Sequence, residues 1–456
     1  MPKIRNLKRS ISLVHLVGIE IGQCVGAGIF ALTGIALART GPSLPLAFLA
    51  AAVPVVLAMA VLAMLGSAYP VSGGTYFYGS RFFSPVVTFT GVWGYILGAL
   101  LGMFPLFAVT GATFLKAVFP RVPVRPAALL LLFIFFVINL LGAKIASWIQ
   151  AVFVGILLVA LLVFIGMGLP EISRQNLSPL FPGHAGGFLV ASSILTFTLL
   201  GANAAVELGD EIINPKRNIP LSFLISIPVV IIMYCLIGLV AAGVHPWGGG
   251  EKTLSQIAGR FLAGWPFVFF VLGGGFLAIV TTLNSTYLWG TKSLIVISRD
   301  GLFPEKLAAV NRRFGTPHWL LTIVFAISSV SLFIVGDRIE TFAIIASLGA
   351  IMIFAPVMGA ALRLRSAHPG IYARSRVKLK GFFYYAAPVA GLLLAALIMV
   401  ILLIDLSTHD NGVFFIFLFA GWIIVGAVYS FFRFRSVKKR PGFNVFDVED
   451  DKSQDW

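Results

Sequence analysis

The chain alternates between long apolar runs and short polar breaks, and the runs predict the elements. A helix needs about 20 apolar residues to cross the hydrocarbon core of a bilayer. Twelve stretches meet or approach that length: 13–39, 44–69, 84–119, 126–142, 147–169, 187–209, 220–243, 264–298, 317–335, 339–362, 381–405 and 411–432. The third is long enough to tilt steeply or to extend beyond the membrane. No linker is long enough for a soluble domain. The expected fold is an all-α integral membrane protein with about 12 transmembrane helices. Its parts are a basic N-tail (1–12), a core of ten spans (13–362), a basic loop (363–380), two additional spans (381–432) and a C-tail (433–456).

Composition agrees with that pattern. The 456 residues are 59% hydrophobic and 11% charged, whereas a soluble protein carries about 25% charged residues. Such a chain could not cover a water-facing surface, which excludes secreted, disordered and cytosolic-enzyme classes. Lys and Arg number 33 against 17 Asp and Glu, a formal charge of +16. An even number of spans puts both termini on one side. If that side is cytoplasmic, 25 of the 33 basic residues lie in inner loops, inner span ends and tails. Basic residues collect on the cytoplasmic side, so a multi-pass protein of the cell membrane with both termini inside is expected. No solvated basic domain is present to bind nucleic acid, and no obligate partner subunit is evident. Membrane lipid is the surrounding partner. Cys24 and Cys235 both lie in apolar runs, which argues against a disulfide framework. The basic N-terminus runs into an apolar stretch without a small-residue cleavage site, so that stretch is expected to be retained.

Two spans carry signs of interruption. The first contains Gly26-Ala27-Gly28 near its middle. Glycine costs a helix interior about 1 kcal/mol relative to alanine, so these glycines favour a local break. Gly22 and Gly26 also form a GxxxG pair, which close helix packing would explain equally. The sixth span holds Gly201 and Asn203 at mid-span, a weaker signal. Paired interruptions in two halves of a membrane chain point to a transporter's binding site. A broken helix frees N–H groups that suit a carboxylate and C=O groups that suit an ammonium or a metal cation.

Four motifs then carry a resemblance: Gly26-Ala-Gly-Ile-Phe30, Pro70-Val-Ser-Gly-Gly-Thr-Tyr76, Asp210-Glu-Ile-Ile-Asn-Pro-Lys-Arg-Asn-Ile-Pro220 and Ser298-Arg-Asp-Gly-Leu-Phe-Pro304. In order and spacing they resemble the amino acid–polyamine–organocation transporters, and Gly315-Thr-Pro317 fits too. The last two spans are similar to that family only in hydropathy. The resemblance implies a leucine-transporter-type fold, with spans 1–5 and 6–10 as inverted repeats, broken helices 1 and 6, and two extra helices. It implies secondary transport of an amino acid by alternating access.

The same resemblance assigns residues. The substrate carboxylate would meet the N–H groups of Ala27 and Gly28, with Gly26 allowing the turn. The ammonium would meet the carbonyls of Cys24, Phe197 and Leu200, and Phe197 would close over the occupied site. Leu200 stands where many relatives have glycine, which predicts a smaller or reshaped pocket. Thr281 and Thr282 match the hydroxyls of a sodium site in several relatives, although back-bonding to the preceding turn is the plain alternative. Other relatives place a lysine ammonium in that space, and here the matching position is Leu157.

Glu20 and Glu207 are carboxylates inside expected spans, and a buried carboxylate is usually functional. Either could carry a proton, or both could join an inner gate with Lys144 or Lys292, sharing one vestibule. No cofactor is expected beyond a coupling Na+ or H+. The pocket has no dedicated acidic residue, which favours neutral amino acids. Polyamines, amines, cationic amino acids and exchange remain alternatives. The glycine repeat Gly94, Gly98 and Gly102 reads as helix packing. The six histidines are scattered without paired metal-ligand spacing, and no nucleophile elbow appears, so an enzyme is not expected. A channel would call for pore-lining charges or a filter loop, and neither is present. A nutrient sensor on a transporter scaffold is the alternative from a different class.

Overall fold

A chain that crosses a membrane must satisfy its backbone polar groups within each segment, and helices do this. The described residues are helical nearly throughout, with two isolated bridges, Ile11 with Ile212 and Ser72 with Leu208. The structure is a computed structural model that describes residues 9–439 except 142–145, 183–184, 249–251, 305–308, 310–315, 317 and 336–337. Lys144, most of the Gly315-Thr-Pro317 motif, most of the N-tail and the C-tail beyond residue 439 therefore lie outside the described residues, as does the side chain of Lys292.

Among the described residues, nine helical stretches are long and apolar enough to cross a membrane. The first, Leu13–Ala68, takes in the first two expected spans, because only the tight turn Gly41–Ser43 separates them. The spans expected at 126–142 and 317–335 correspond to the shorter apolar helices Val124–Leu140 and His318–Ile334.

In chain order the helices used below are α1 (Leu13–Cys24), α2 (Ala27–Thr40), α3 (Leu44–Ala68), α4 (Gly74–Phe82), α5 (Pro85–Val118), α6 (Val124–Leu141), α7 (Ala146–Gly168), α8 (Ala185–Thr196), α9 (Ala204–Glu207) and α10 (Pro215–Val244). They continue with α11 (265–299), α12 (His318–Ile334), α13 (Ile339–Ala367), α14 (Phe382–Ser407) and α15 (Gly412–Lys438). At 34 residues, α5 is about 50 Å long. That exceeds the hydrocarbon thickness of about 30 Å. One π-helical turn, Gly98–Met103, lies within it.

The centre of the bundle is built where α1, α2 and the segment 197–203 meet α5, α10, α11 and α13. The glycine repeat of α5 faces α13, where a Cβ on Gly98 would fall 2.6 Å from the Cα of Gly349. The two last helices lie outside this centre, with Leu393 of α14 67% and Phe417 of α15 72% exposed. Both cysteines remain thiols.

Candidate functional site

The first break is explicit in the backbone. α1 ends at Cys24, Val25 (φ −79, ψ 64) and Gly26 (φ −116, ψ −152) leave helical space, and α2 starts at Ala27. Both sequence-level explanations apply, each to a different glycine. Gly22 serves packing, since a Cβ there would lie 2.6 Å from Val154 of α7. Gly26 serves the break, since its Cβ would occupy the place of the Thr282 hydroxyl.

The second break is a tight 3-10 stretch, Phe197–Asn203, followed by the four-residue helix α9. Gly201 lies directly on the first break, where a Cβ would run into the backbone of Gln23 and Cys24. Tyr234 of α10 ties the two together. Its hydroxyl lies 2.5 Å from the Cys24 carbonyl, to which it donates, and 3.3 Å from that of Thr198. A single tyrosine in the apolar middle of the seventh expected span was the available signal for it.

Between the breaks lies a cavity of about 70 Å³. Cys24, Gly26, Ala27, Gly28, Phe197, Leu200 and Thr282 all line it, and no charged side chain among the described residues does. Phe197 is buried and faces Phe107, with ring centroids 6.2 Å apart. The Ala27 N–H donates to Thr282 Oγ1 (3.1 Å), and the Gly26 N–H donates to the Cys24 carbonyl (2.8 Å). Thr281 and Thr282 both back-bond to the Ala278 carbonyl, at 2.9 and 2.7 Å. Of the two, Thr282 lines the cavity and Thr281 does not. Leu157 is fully buried in the apolar core.

The two span carboxylates have different partners among the described residues. Glu20 is fully buried and takes hydroxyls from α10, Ser222 on Oε1 at 2.7 Å and Ser226 on Oε2 at 2.5 Å. Glu207 accepts from the Thr75 N–H at 3.2 Å. It lines a second cavity of about 60 Å³, which shares Tyr95, Asn203, Thr286 and Ile353 with the first.

Among the described residues, charge pairs with a buried or half-buried carboxylate lie at two places that the sequence did not reveal. Arg81 makes a two-pronged pair with Asp300, at 2.6 and 2.8 Å, and both side chains are only 3% exposed. Tyr76 also donates to Asp300 (2.7 Å), and Asp210 accepts from the Ser72 N–H (3.0 Å). The second, third and fourth motifs therefore converge. Near the other end of the bundle, Arg39 of α2 pairs with Glu340 of α13 at 2.7 Å and lies 3.6 Å from Asp405 of α14. His409 Nε2 is 3.2 Å from Glu340 Oε2, and Nδ1 is 3.0 Å from the Asp405 carbonyl. Both ring nitrogens face acceptors, which an imidazolium alone can satisfy. The bond to Glu340 accordingly raises the His409 pKa, against the opposing effect of burial.

A bundle of apolar helices whose central cavity is formed by two interrupted segments is the architecture of a membrane transporter. The chain belongs to the amino acid permease family, which matches residues 11–428, within the amino acid–polyamine–organocation superfamily. It is 28% identical over 404 residues to the methylthioribose transporter of Bacillus subtilis, covering 82% of this chain and 85% of that one. It is 25% identical over 393 residues to a branched-chain amino acid permease of the same organism, covering 80% and 83%. A mitochondrial cationic amino acid transporter of Arabidopsis thaliana is 25% identical over 338 residues, covering 69% of this chain and 55% of that one.

Proposed function

We propose that the protein moves a small neutral amino acid across the cell membrane by alternating access. The observation that carries this is the cavity between the breaks, lined by main chain and uncharged side chains. The first turn of α2 has amides without intrahelical partners, at the positive end of its dipole, which suits a carboxylate at Ala27 and Gly28. The carbonyls of Cys24, Phe197 and Leu200 suit the ammonium. A zwitterion is then held without any charged side chain. For a carboxylate to use Ala27, the Thr282 hydroxyl must give up that N–H. Leu200 and the small volume favour a short side chain. Twelve spans, an inverted repeat and cytoplasmic termini belong to the same proposal. The first long stretch counted as two, together with the two shorter helices, makes up that number.

For the driving ion, Glu20 supports a proton. Ser222 Oγ lies 2.7 Å from Glu20 Oε1 and 2.9 Å from the Ile219 carbonyl, two acceptors for one hydroxyl proton. A protonated Glu20 supplies the second donor, while an ionised Glu20 takes the hydroxyl proton for itself. The site thus accommodates both states. Sodium between Thr281, Thr282 and first-break carbonyls is the rival.

Uptake of radiolabelled amino acids into proteoliposomes tests the proposal. Small neutral amino acids should accumulate, and Gly28→Val, whose side chain would press on Thr198, should abolish binding. Retained wild-type affinity in that variant would place the site elsewhere. Equal affinity for an amine lacking the carboxylate would move the function to amine transport. Preferred lysine uptake lost in Glu207→Gln would move it to cationic amino acids. A proton gradient should drive uptake in wild type but not in Glu20→Gln. A sodium gradient acting through Thr282 would replace the proton.

A further inference from the structure

On the lipid-facing side of the bundle, α3 and α10 enclose an open groove of about 890 Å³. Small or ring-closed residues keep it open: Ala60 and Ala63 on α3, Pro220 and Pro228 on α10. Its apolar walls are exposed, with Leu224 at 71% and Ile232 at 60%. From Arg217 to Ile232 the groove follows 16 residues of α10, about 22 Å at the helical rise. Half the hydrocarbon core is about 15 Å thick, so the groove spans one leaflet from its surface to the midplane.

The surface end is basic. Arg217 and Arg376, the charged residues that line the groove, both sit at this end and are exposed. Neither guanidinium has a hydrogen-bond or ion-pair partner among the described residues. Lys216 and Lys378 neighbour them in sequence. Guanidinium groups bind phosphate oxygens in two-pronged fashion. An apolar trough ending at two unpartnered guanidiniums matches a molecule with a long hydrocarbon chain and an anionic phosphate head.

We propose that the groove between α3 and α10 is a binding site for an anionic phospholipid of the leaflet that borders the basic loop 363–380. One acyl chain lies along Leu224, Ile231 and Ala60, and Arg217 and Arg376 hold the phosphate. The site is separate from the central cavity, and it holds whichever solute the protein carries.

Native mass spectrometry of the full-length protein, extracted from membranes and re-equilibrated with phosphatidylglycerol or phosphatidylcholine, tests this. Wild type should retain one phosphatidylglycerol in preference to phosphatidylcholine. Each basic residue near an anionic surface changes affinity about fivefold. The double variant Arg217→Gln/Arg376→Gln should therefore lose about 25-fold. Arg121→Gln, which removes an exposed charge outside the groove, should retain lipid as wild type does. Ala60→Phe fills the trough with both charges kept and should also lose the lipid, with thermal unfolding confirming that each variant is folded. Equal retention of the two lipids, or unchanged retention in the folded double variant, overturns the proposal. Unchanged retention in Ala60→Phe overturns the placement of the chain.

Discussion

Trp93 and Trp422 hold each other by reciprocal bonds, each indole N–H donating to the other's carbonyl, at 2.9 and 2.8 Å. The rings stack with centroids 4.4 Å apart and planes 9° apart, fixing α15 to α5. Each hydrogen bond contributes about 1 kcal/mol and the stack about 1 kcal/mol. Trp422→Ala removes the stack and one of the two bonds, because the backbone carbonyl that accepts from Trp93 remains. It should thus cost about 2 kcal/mol, seen as a lower thermal midpoint in detergent. Uptake per folded molecule should change less than threefold, because α15 is remote from the cavity. A variant as stable as wild type would show that α15 is held by other contacts.

Gly201→Ala should damage the site itself. The added methyl meets the Gln23 and Cys24 backbone, which can only yield by separating the two breaks. Overpacking costs about 1–3 kcal/mol, and substrate affinity should fall at least about tenfold with it. Gly155→Ala, with nothing within 4 Å of its Cβ, is the control. It should be neutral or stabilising, since alanine favours a helix interior by about 1 kcal/mol.

Tyr234→Phe separates stability from transport. The Cys24 carbonyl keeps its bond from the Gly26 N–H at 2.8 Å, so it is not orphaned and the loss should be only about 1 kcal/mol. Net uptake should fall much further, because the hydroxyl links α10 to the first break. Equal proportional losses in both would reduce Tyr234 to a packing residue.

Asp300→Asn should be among the most damaging single changes. It removes the buried negative charge that faces the Arg81 guanidinium, at a cost of about 3–5 kcal/mol. Removing both charges, as in Arg81→Met/Asp300→Asn, should recover part of that cost. Thermal unfolding of the two single variants and the double decides it. Strict additivity would mean that the pair is not coupled.

His409 makes the cluster around Glu340 sensitive to pH. Its folded-state pKa lies above the ordinary 6.5 because Glu340 stabilises the imidazolium. That contribution is fully present below 6.5 and is lost as pH rises through the folded value. Glu340 on α13 and Asp405 on α14 favour the cation, while Arg39 on α2 opposes it. Thermal midpoints should fall as pH rises above 6.5, and His409→Gln should flatten that slope. An equal slope in the variant would assign the dependence to other groups.

The apolar runs determined the helices by themselves, because a backbone in hydrocarbon has no other way to bond its polar groups. The Gly26-Ala27-Gly28 cluster marked the place of the first break, and the motifs marked the family. Hydropathy separated the first two spans where the structure has a single turn at Gly41–Ser43, and its runs were shortest where the helices are short, at 124–140 and 318–334. Partners distant in sequence were decided only by the tertiary structure. Arg81 and Asp300 lie 219 positions apart, and Glu20 and Ser226 lie 206 apart. An ionisable side chain near a span end looks the same in sequence whether it faces water or another helix. Asp300 was visible as part of a motif, but nothing in its neighbours showed that Arg81 would neutralise it. Likewise, Gly201 carried only a weak local signal, because the reason for glycine there is the backbone of Gln23 and Cys24, brought against it by the fold.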